Sequence, residues 1–129
     1  MENGYTILQV VGLTGLTIHT LRYYEKIGLI KPIRRNQSGY RNYTERDIAW
    51  IKFIDRLRTT GMPVKEMLEL AALYDQGEIS LPQRRLLLQN HRVKIEKRIE
   101  ELQNNLEAID AKIEHYRKKE AESTRCLSC

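Results

Sequence analysis

Basic and tyrosine side chains alternate over residues 17–43, and this segment carries the chemistry suggested by the sequence. Its first half reads as a helix that begins at Thr17 and ends near Gly28, and its second half as a loop rich in basic and turn-forming residues. Arginine and lysine neutralise phosphate, and tyrosine hydroxyls donate hydrogen bonds to phosphate oxygens. The pattern therefore predicts a surface that binds a phosphate backbone. Its basic and tyrosine residues include Arg22, Tyr23, Tyr24, Lys31, Arg34, Arg35, Tyr40, Arg41 and Tyr43.

The positive charge is concentrated in the half of the chain that contains this segment. The 129 residues carry a net charge of +5. Residues 1–65 hold 11 Lys and Arg against 5 Asp and Glu, whereas residues 66–129 hold 11 against 12. This asymmetry favours a polyanionic partner for the first half alone. A basic surface that serves only solubility is the alternative.

Other classes of protein are disfavoured by what the sequence lacks. No basic segment followed by an apolar run begins the chain, and no apolar stretch approaches the roughly 18–20 residues of a membrane span. We therefore expect a cytoplasmic protein with no membrane partner. The two cysteines, Cys126 and Cys129, do not provide a disulfide framework.

Short helices are expected to position the basic segment. Residues 7–11 form a short apolar helix candidate, residues 12–15 read as a turn, and Thr17 caps a second helix. Two short helices joined by a glycine-containing turn are typical of a helix-turn-helix. Residues 31–43 predict a hairpin, or wing, whose turn is Asn36–Gly39.

Two further helices follow the predicted wing. The first begins after Thr44, which forms a capping-box variant with Asp47, and ends at Gly61. Pro63 lies in the first turn of the next helix, which ends near Gly77. The apolar face predicted for the first of these helices contains Ile48, Trp50, Ile51, Ile54 and Leu57.

The last predicted helix begins at Ser80 and extends to about Lys119. From residue 95 its apolar residues are spaced alternately by four and three, which is a heptad seam with charged flanks. A narrow apolar stripe on so long a helix requires a second helix, and a second copy of the chain is the simplest source. Packing against its own domain is the alternative, and the spacing leaves the relative orientation open. The seam residues are Ile95, Ile99, Leu102, Leu106, Ile109, Ile113 and Tyr116.

The chain resembles the MerR family of bacterial transcription regulators, named after the mercury-resistance regulator. A helix motif and a wing motif occur together at the spacing of that family, and the resemblance continues through the long helix. The matching residues are Thr20, Leu21, Arg22, Tyr23, Tyr24, Glu25, Gly28, Leu29, Pro32, Arg35, Gly39, Tyr40, Arg41, Tyr43, Asp47, Leu57, Arg58 and Gly61.

The resemblance implies a mainly α fold with three parts. Residues 1–77 form a winged helix-turn-helix DNA-binding domain with a helix pair as a second wing, and residues 78–119 form an antiparallel coiled-coil dimer. Residues 120–129 form a short tail containing the CxxC pair. Family members bind a pseudo-palindromic operator between promoter elements, distort the DNA and present it to RNA polymerase, either repressing or activating transcription.

The predicted DNA contacts come from the second helix, the wing and the helix after it. Ile18 and His19 lie where the recognition helix reaches base edges, although His19 could instead be a solvated side chain. Either Arg34 or Arg35 could pair with Glu25 rather than with phosphate. By resemblance, Arg58 contacts the DNA backbone. The predicted DNA-binding residues are Thr17, Ile18, His19, Thr20, Arg22, Tyr23, Arg34, Arg35, Tyr40, Arg41 and Arg58.

The effector is the least determined part of the prediction. We expect no long ligand-binding domain after the predicted coiled coil, and the sequence looks most similar to the aldehyde and electrophile-stress branch of the family. Arg56 occupies the place of the reactive cysteine of that branch, which puts that sensing chemistry in doubt. Cys126 and Cys129 could form a redox pair, bind a metal with ligands from a partner chain, or be an inert tail.

We expect a homodimeric, sequence-specific DNA-binding transcription regulator without a cofactor. An architectural DNA-binding protein that responds to no effector is the main alternative, and a protein-interaction module is a second. The sequence contains no nucleophile–base arrangement and no phosphate loop, so we do not expect an enzyme.

Overall fold

The computed structural model describes the backbone of residues 4–128 and the side chains of residues 4–124. Five α-helices follow one another: α1 (Ile7–Thr14), α2 (Ile18–Lys26), α3 (Glu45–Thr59), α4 (Val64–Asp75) and α5 (Leu81–Ser128). A short 3₁₀ helix (Glu78–Ser80) precedes α5. The mainly α fold that was predicted is confirmed.

Helices α1 and α2 form the expected helix-turn-helix corner. α1 extends to Thr14, beyond its predicted end at Val11, because the chain leaves the helix only at Gly15, whose φ is 75°. A left-handed residue at this position is a common helix end, and glycine adopts it without strain. Leu16 is buried in the corner, and the Thr17 hydroxyl accepts a hydrogen bond from Thr20 N (3.1 Å) to begin α2.

The predicted hairpin is present as a short wing. Its two arms meet at the bridge between Arg35 and Arg41, with Asn36 N donating to Tyr40 O (2.8 Å). The Asn36 side chain closes the turn by accepting hydrogen bonds from Ser38 N (3.0 Å) and Tyr40 N (3.1 Å). This arrangement is an Asx turn, in which a short polar side chain substitutes for a backbone acceptor.

The return arm of the wing also pairs with a segment that the sequence did not predict. Tyr5 and Tyr43 exchange two backbone hydrogen bonds of 2.7 and 2.8 Å. This bridge lies directly before α1, so it joins the base of the wing to the start of the helix-turn-helix. Tyr43 is only 1% exposed, which shows that the joint is part of the core.

Helices α3 and α4 form the second helix pair. Thr44 and Asp47 make the predicted capping box, and the chain turns at Gly61 before Pro63, which is the N-cap of α4. The inner face of α3 was predicted correctly, since four of its residues are buried: Ile48, Ile51, Ile54 and Leu57. They belong to the same core cluster as Leu21 and Tyr24 of α2.

Helix α5 belongs to two compact units. Leu87 and Leu88 pack against the core of the first unit, which ends at Leu88, past the predicted domain boundary at residue 77. The second unit begins at Gln89 and consists of the remainder of α5. Six seam residues of this second unit are between 44% and 62% exposed: Ile99, Leu102, Leu106, Ile109, Ile113 and Tyr116.

The long helix continues beyond its predicted end at Lys119, as far as Ser128. The segment after residue 119 contains neither glycine nor proline and includes the good helix formers Ala, Glu and Arg, so nothing in it stops the helix. The region predicted as a tail is therefore helical over its described part. The side chain of Cys126, and all of Cys129, lie outside the described residues.

No described helix is long and apolar enough to cross a membrane.

Candidate nucleic-acid interface

The exposed face of α2 carries the residues predicted to bind nucleic acid. Leu21 and Tyr24 point into the core at 1% and 4% exposure, and this anchors the helix. The opposite residues, His19, Arg22 and Tyr23, are exposed. Because buried and exposed positions alternate at helical spacing, anchoring one face presents the other to a partner.

An open hollow of about 620 Å³ lies between α1, the exposed face of α2 and the wing. Its lining includes Arg22 of α2 and Arg35, Tyr40 and Arg41 of the wing. Arginine and tyrosine are residue types that suit phosphate, because guanidinium groups bind phosphate oxygens in pairs. The hollow brings together residues far apart in sequence.

Arg41 is held in place by a carboxylate. Its Nε donates to Glu25 Oε1 at 3.0 Å, and both side chains are largely buried, at 23% and 22% exposure. The sequence left open a pairing of Arg34 or Arg35 with Glu25, and in the structure Arg41 pairs with Glu25. The bond uses Nε, so the two terminal nitrogens of the guanidinium remain available for a ligand.

Arg35 serves the wing itself. Its Nη1 donates to Gly39 O at 2.8 Å, which ties one arm of the wing to the turn. Gly39 has a φ of 84°, a backbone conformation that favours glycine. Tyr40 follows it and is 69% exposed, so the turn projects this tyrosine outward. The wing is therefore braced internally while its tip remains accessible.

Arg58 of α3 is the predicted contact from the second helix pair, and it pairs with Asp55. Its Nη2 lies 2.8 Å and its Nε 3.3 Å from Asp55 Oδ1. The hydrogen bond to Asp55 is the main reason that the pKa of Arg58 is raised above its usual value. The Arg58 side chain is 51% exposed, so it is accessible to a partner. Because Arg58 is paired with Asp55, binding a partner requires the guanidinium to share or leave this carboxylate.

Only part of the predicted residue set lines the hollow. Arg22, Arg35, Tyr40 and Arg41 do, and the other predicted DNA-binding residues lie outside it: Thr17, Ile18, His19, Thr20, Tyr23, Arg34 and Arg58.

The start of α1 also lines the hollow, and the sequence reading missed it. Thr6, Ile7 and Leu8 contribute there, and Leu8 is 68% exposed. The capping box between Thr6 and Gln9 was a readable signal for a helix start at this point.

Within the described part of the chain, no group of three or more His, Cys, Asp or Glu side chains is placed to hold a metal ion. The effector prediction for Cys126 and Cys129 concerns side chains outside the described residues, so it stays a prediction.

A helix-turn-helix corner, a basic wing and a second helix pair define a winged helix-turn-helix DNA-binding domain. The model of the MerR HTH family regulatory protein matches residues 5–72, and the MerR DNA-binding model matches residues 48–115. The chain belongs to the MerR family.

Individual relatives agree with this assignment. The HTH-type transcriptional regulator AdhR of Bacillus subtilis is 40% identical over 89 residues, an alignment that covers 69% of this chain and 64% of AdhR. A MerR family transcriptional regulator from Listeria monocytogenes has a similar crystal structure, with a TM-score of 0.88 and 34% identity over 96% of this chain and 94% of that one.

A third relative was solved with DNA. HiNmlR, described as a MerR family regulator lacking the sensor domain and bound to promoter DNA, has a TM-score of 0.81 and 29% identity, covering 92% of this chain and 94% of that one. Together with the family match, this shows that the chain is a DNA-binding transcription regulator. The matched proteins are regulators, which agrees with the expectation that the chain is not an enzyme.

Proposed function

We propose that the chain acts in the cytoplasm as a homodimer that binds a pseudo-palindromic promoter operator through α2 and the wing. The observation that supports this best is the hollow in which Arg22, Arg35, Tyr40 and Arg41 converge. A concave surface to which three arginines contribute, next to an exposed helix face, fits a DNA backbone beside a groove. Phosphate contacts supply most of the affinity, so binding falls steeply as the salt concentration rises.

The residues of the interface divide into two kinds. One group contacts phosphate, and its members in the wing contact phosphate or the minor groove. This group is Arg22, Tyr23, Arg34, Arg35, Tyr40, Arg41 and Arg58. The second group lies at the start of the recognition helix, from which base edges are read. It consists of Thr17, Ile18, His19 and Thr20. His19 is the principal base-reading residue, since it is exposed and its imidazole can both donate and accept hydrogen bonds.

Dimerisation follows from the seam of α5. A row of exposed apolar side chains on one helix is unfavourable in water, and a second copy removes it from solvent. The seam predicted for this contact is Ile95, Ile99, Leu102, Leu106, Ile109, Ile113 and Tyr116. Two DNA-binding domains joined by such a helix pair read two half-sites, which explains a pseudo-palindromic operator.

The bound dimer changes the geometry of the promoter. Two domains joined at a set distance bend or untwist the DNA between their half-sites. This distortion alters the position of the promoter elements relative to each other, and RNA polymerase reads both elements. Repression and activation are then two outcomes of the same distortion. An effector, for which Cys126 and Cys129 are the candidates, would select between them.

The decisive experiment selects duplexes from a random pool with the purified protein and then measures binding of the recovered duplex. Arg22→Ala should weaken binding about tenfold on all sequences and reduce the slope of log K against log salt by about 0.9, the loss of one phosphate contact. The matched control is Arg92→Ala, which removes the same charge from α5, where Arg92 pairs with Glu96.

Each outcome of this experiment decides something. Recovery of an inverted repeat supports the homodimer, and recovery of no preferred sequence contradicts sequence-specific binding. Equal affinity of Arg22→Ala and the parent chain contradicts the assignment of the hollow to phosphate. A separate promoter assay tests the architectural alternative, which predicts transcription that never changes with oxidants, metals or aldehydes.

A further inference from the structure

A second concave site, a pocket of about 110 Å³, lies within the first compact unit. It shares no lining residue with the hollow of the nucleic-acid interface. Three segments line it: residues 28–31, which follow α2, the first half of α3 and the end of α4. An enclosed cavity of roughly 150 Å³ binds benzene. This pocket is smaller but partly open to solvent, so it has room for one small ring.

Two aromatic residues line the pocket and contact each other. The ring centroids of Trp50 on α3 and Tyr74 on α4 are 5.1 Å apart. The indole is held in place by a hydrogen bond from Trp50 Nε1 to Leu29 O (2.9 Å). Rings at this separation touch, so a planar group of a ligand can pack against the pair but not between its members.

The charged residues of the lining differ in whether they have partners. Lys31 Nζ and Asp75 Oδ1 form an ion pair at 2.9 Å. Asp47 accepts a hydrogen bond from Thr44 N (2.9 Å) as part of the cap of α3. The exposed side chain of Arg46 has no ion-pair or hydrogen-bond partner among the described residues. Both acids of the lining are therefore engaged, whereas one cation is free.

This free arginine lies on the same face of α3 as the tryptophan. Arg46 and Trp50 are four residues apart, a spacing that places the Cβ atoms of a helix about 5–6 Å from each other. The long arginine side chain can therefore reach a group on a ligand that packs against Trp50. A guanidinium binds a carboxylate through two parallel hydrogen bonds. Together the two residue types suit a ring that carries a carboxylate.

We propose that this pocket binds a small aromatic carboxylate, with the ring against Trp50 and Tyr74 and the carboxylate on Arg46. This site goes beyond the proposed function and does not depend on it, because binding can be measured without DNA. The pocket is lined both by the segment that follows the recognition helix and by the second helix pair. A bound ligand therefore contacts both parts of the DNA-binding domain.

The experiment uses the full chain without DNA, and benzoate is the probe. Trp50 is the only tryptophan of the chain, so its indole N–H gives a single NMR signal that reports on the pocket. Benzoate should shift this signal saturably, with a dissociation constant on the order of 1 mM for so small a ligand. Benzyl alcohol, which keeps the ring without the charge, should bind about fivefold more weakly or worse. Acetate, which lacks the ring, should give no saturable shift.

Two variants separate the roles of charge and ring. Arg46→Ala should weaken benzoate binding about fivefold or more and change benzyl alcohol binding by less than about twofold. Tyr74→Ala should weaken the binding of both ligands about three- to tenfold. Both side chains are exposed, so the thermal midpoints should stay close to that of the parent. Arg56→Ala is the matched control, because it removes the same charge from α3 at a residue that does not line the pocket.

Several results would overturn the proposal. A parent chain without a saturable benzoate shift has no such site. Equal affinity for benzoate and benzyl alcohol, or unchanged benzoate binding by Arg46→Ala, would show that the carboxylate is not recognised there. Tighter binding of benzylamine, which carries a positive charge on the same ring, would assign the pocket to cations. An equal loss in Arg56→Ala and Arg46→Ala would mean that the charge of α3 as a whole attracts the anion. None of these results bears on DNA binding, which Arg22→Ala tests.

Discussion

At the scale of a single residue, the role proposed for His19 separates the reading of bases from the binding of the backbone. It lies one residue after the start of α2 and is exposed, beside the cap made by Thr17. His19→Ala should relax the preference at one base pair by about 1–3 kcal/mol and leave the slope with salt concentration nearly unchanged. Selection from a random pool by the variant measures this, and a base profile identical to that of the parent contradicts the assignment.

The raised pKa of Tyr43 predicts how the free energy of unfolding depends on pH. Burial, the largest cause, raises the pKa of Tyr43 in the folded protein. The pKa of Tyr43 in the folded protein therefore exceeds the unfolded value of about 10. The stabilisation that comes from burying the neutral tyrosine is complete below about pH 10 and is lost as the pH rises further. Urea unfolding at fixed protein concentration, at pH 8 and pH 10.5, should show a smaller alkaline loss for Tyr43→Phe than for the parent.

The exposed Tyr40 supplies the comparison for this prediction. It lies on the same arm of the wing at 69% exposure, so Tyr40→Phe should retain the alkaline loss of the parent. A Tyr43→Phe variant that loses as much stability as the parent between the two pH values would show that other groups cause the decline.

Residue types predicted which arginines and tyrosines line the hollow better than they predicted which side chains pair with one another. Arginine and tyrosine in a basic segment pointed to Arg22, Tyr40 and Arg41, which the hollow does bring together. The pairing of Arg41 with Glu25 was missed because it depends on how the wing folds back onto α2, and two nearer arginines offered equal chemistry. The hydroxyl of Tyr24 is buried without a hydrogen-bond partner, and no sequence signal predicts this because it depends on packing alone.

At the scale of the element, the wing depends on one backbone conformation. Gly39 has a φ of 84° with open space around the position where a Cβ would lie, so Gly39→Ala tests backbone strain alone. The expected cost is about 1–2 kcal/mol of unfolding free energy. Gly12→Ala is the matched control, because Gly12 lies inside α1 with equally open space. It should stabilise the protein by roughly 0.5–1 kcal/mol.

Urea unfolding of the two glycine variants beside the parent makes this comparison. Opposite signs for the two substitutions support the assignment of Gly39 to a left-handed turn and of Gly12 to a helix. Stabilisation by both would mean that the turn of the wing can adopt a conformation in which alanine is unstrained.

The elements were predictable where local signals decide them. Caps at Thr17 and Thr44 and the apolar period of α3 gave helices in the right places. The end of α1 was placed too early because Gly12 was taken as part of the turn, and Gly15 proved to be the helix end. The bridge between Tyr5 and Tyr43 joins two segments that are separated in sequence by α1, α2 and most of the wing. No local sequence pattern predicts it.

At the scale of the whole molecule, the proposed homodimer would form along the seam of α5. Full overlap of the seven seam residues in an antiparallel pair puts Ile95 opposite Tyr116 of the partner subunit, whereas a parallel pair puts each residue opposite itself. Single-cysteine variants distinguish these arrangements. Ile95→Cys and Tyr116→Cys, each made in a Cys126→Ser/Cys129→Ser background, should cross-link on mild oxidation only when the two proteins are mixed.

This result follows from geometry, since a disulfide requires Cα atoms within about 7 Å, a distance that only opposed seam positions satisfy. Lys97→Cys mixed with Lys118→Cys is the control, because both positions lie off the seam and should not cross-link. Efficient cross-linking of Ile95→Cys with itself would establish a parallel pair. The two DNA-binding domains would then lie at the same end of the coiled coil, and a different operator spacing would have to be sought.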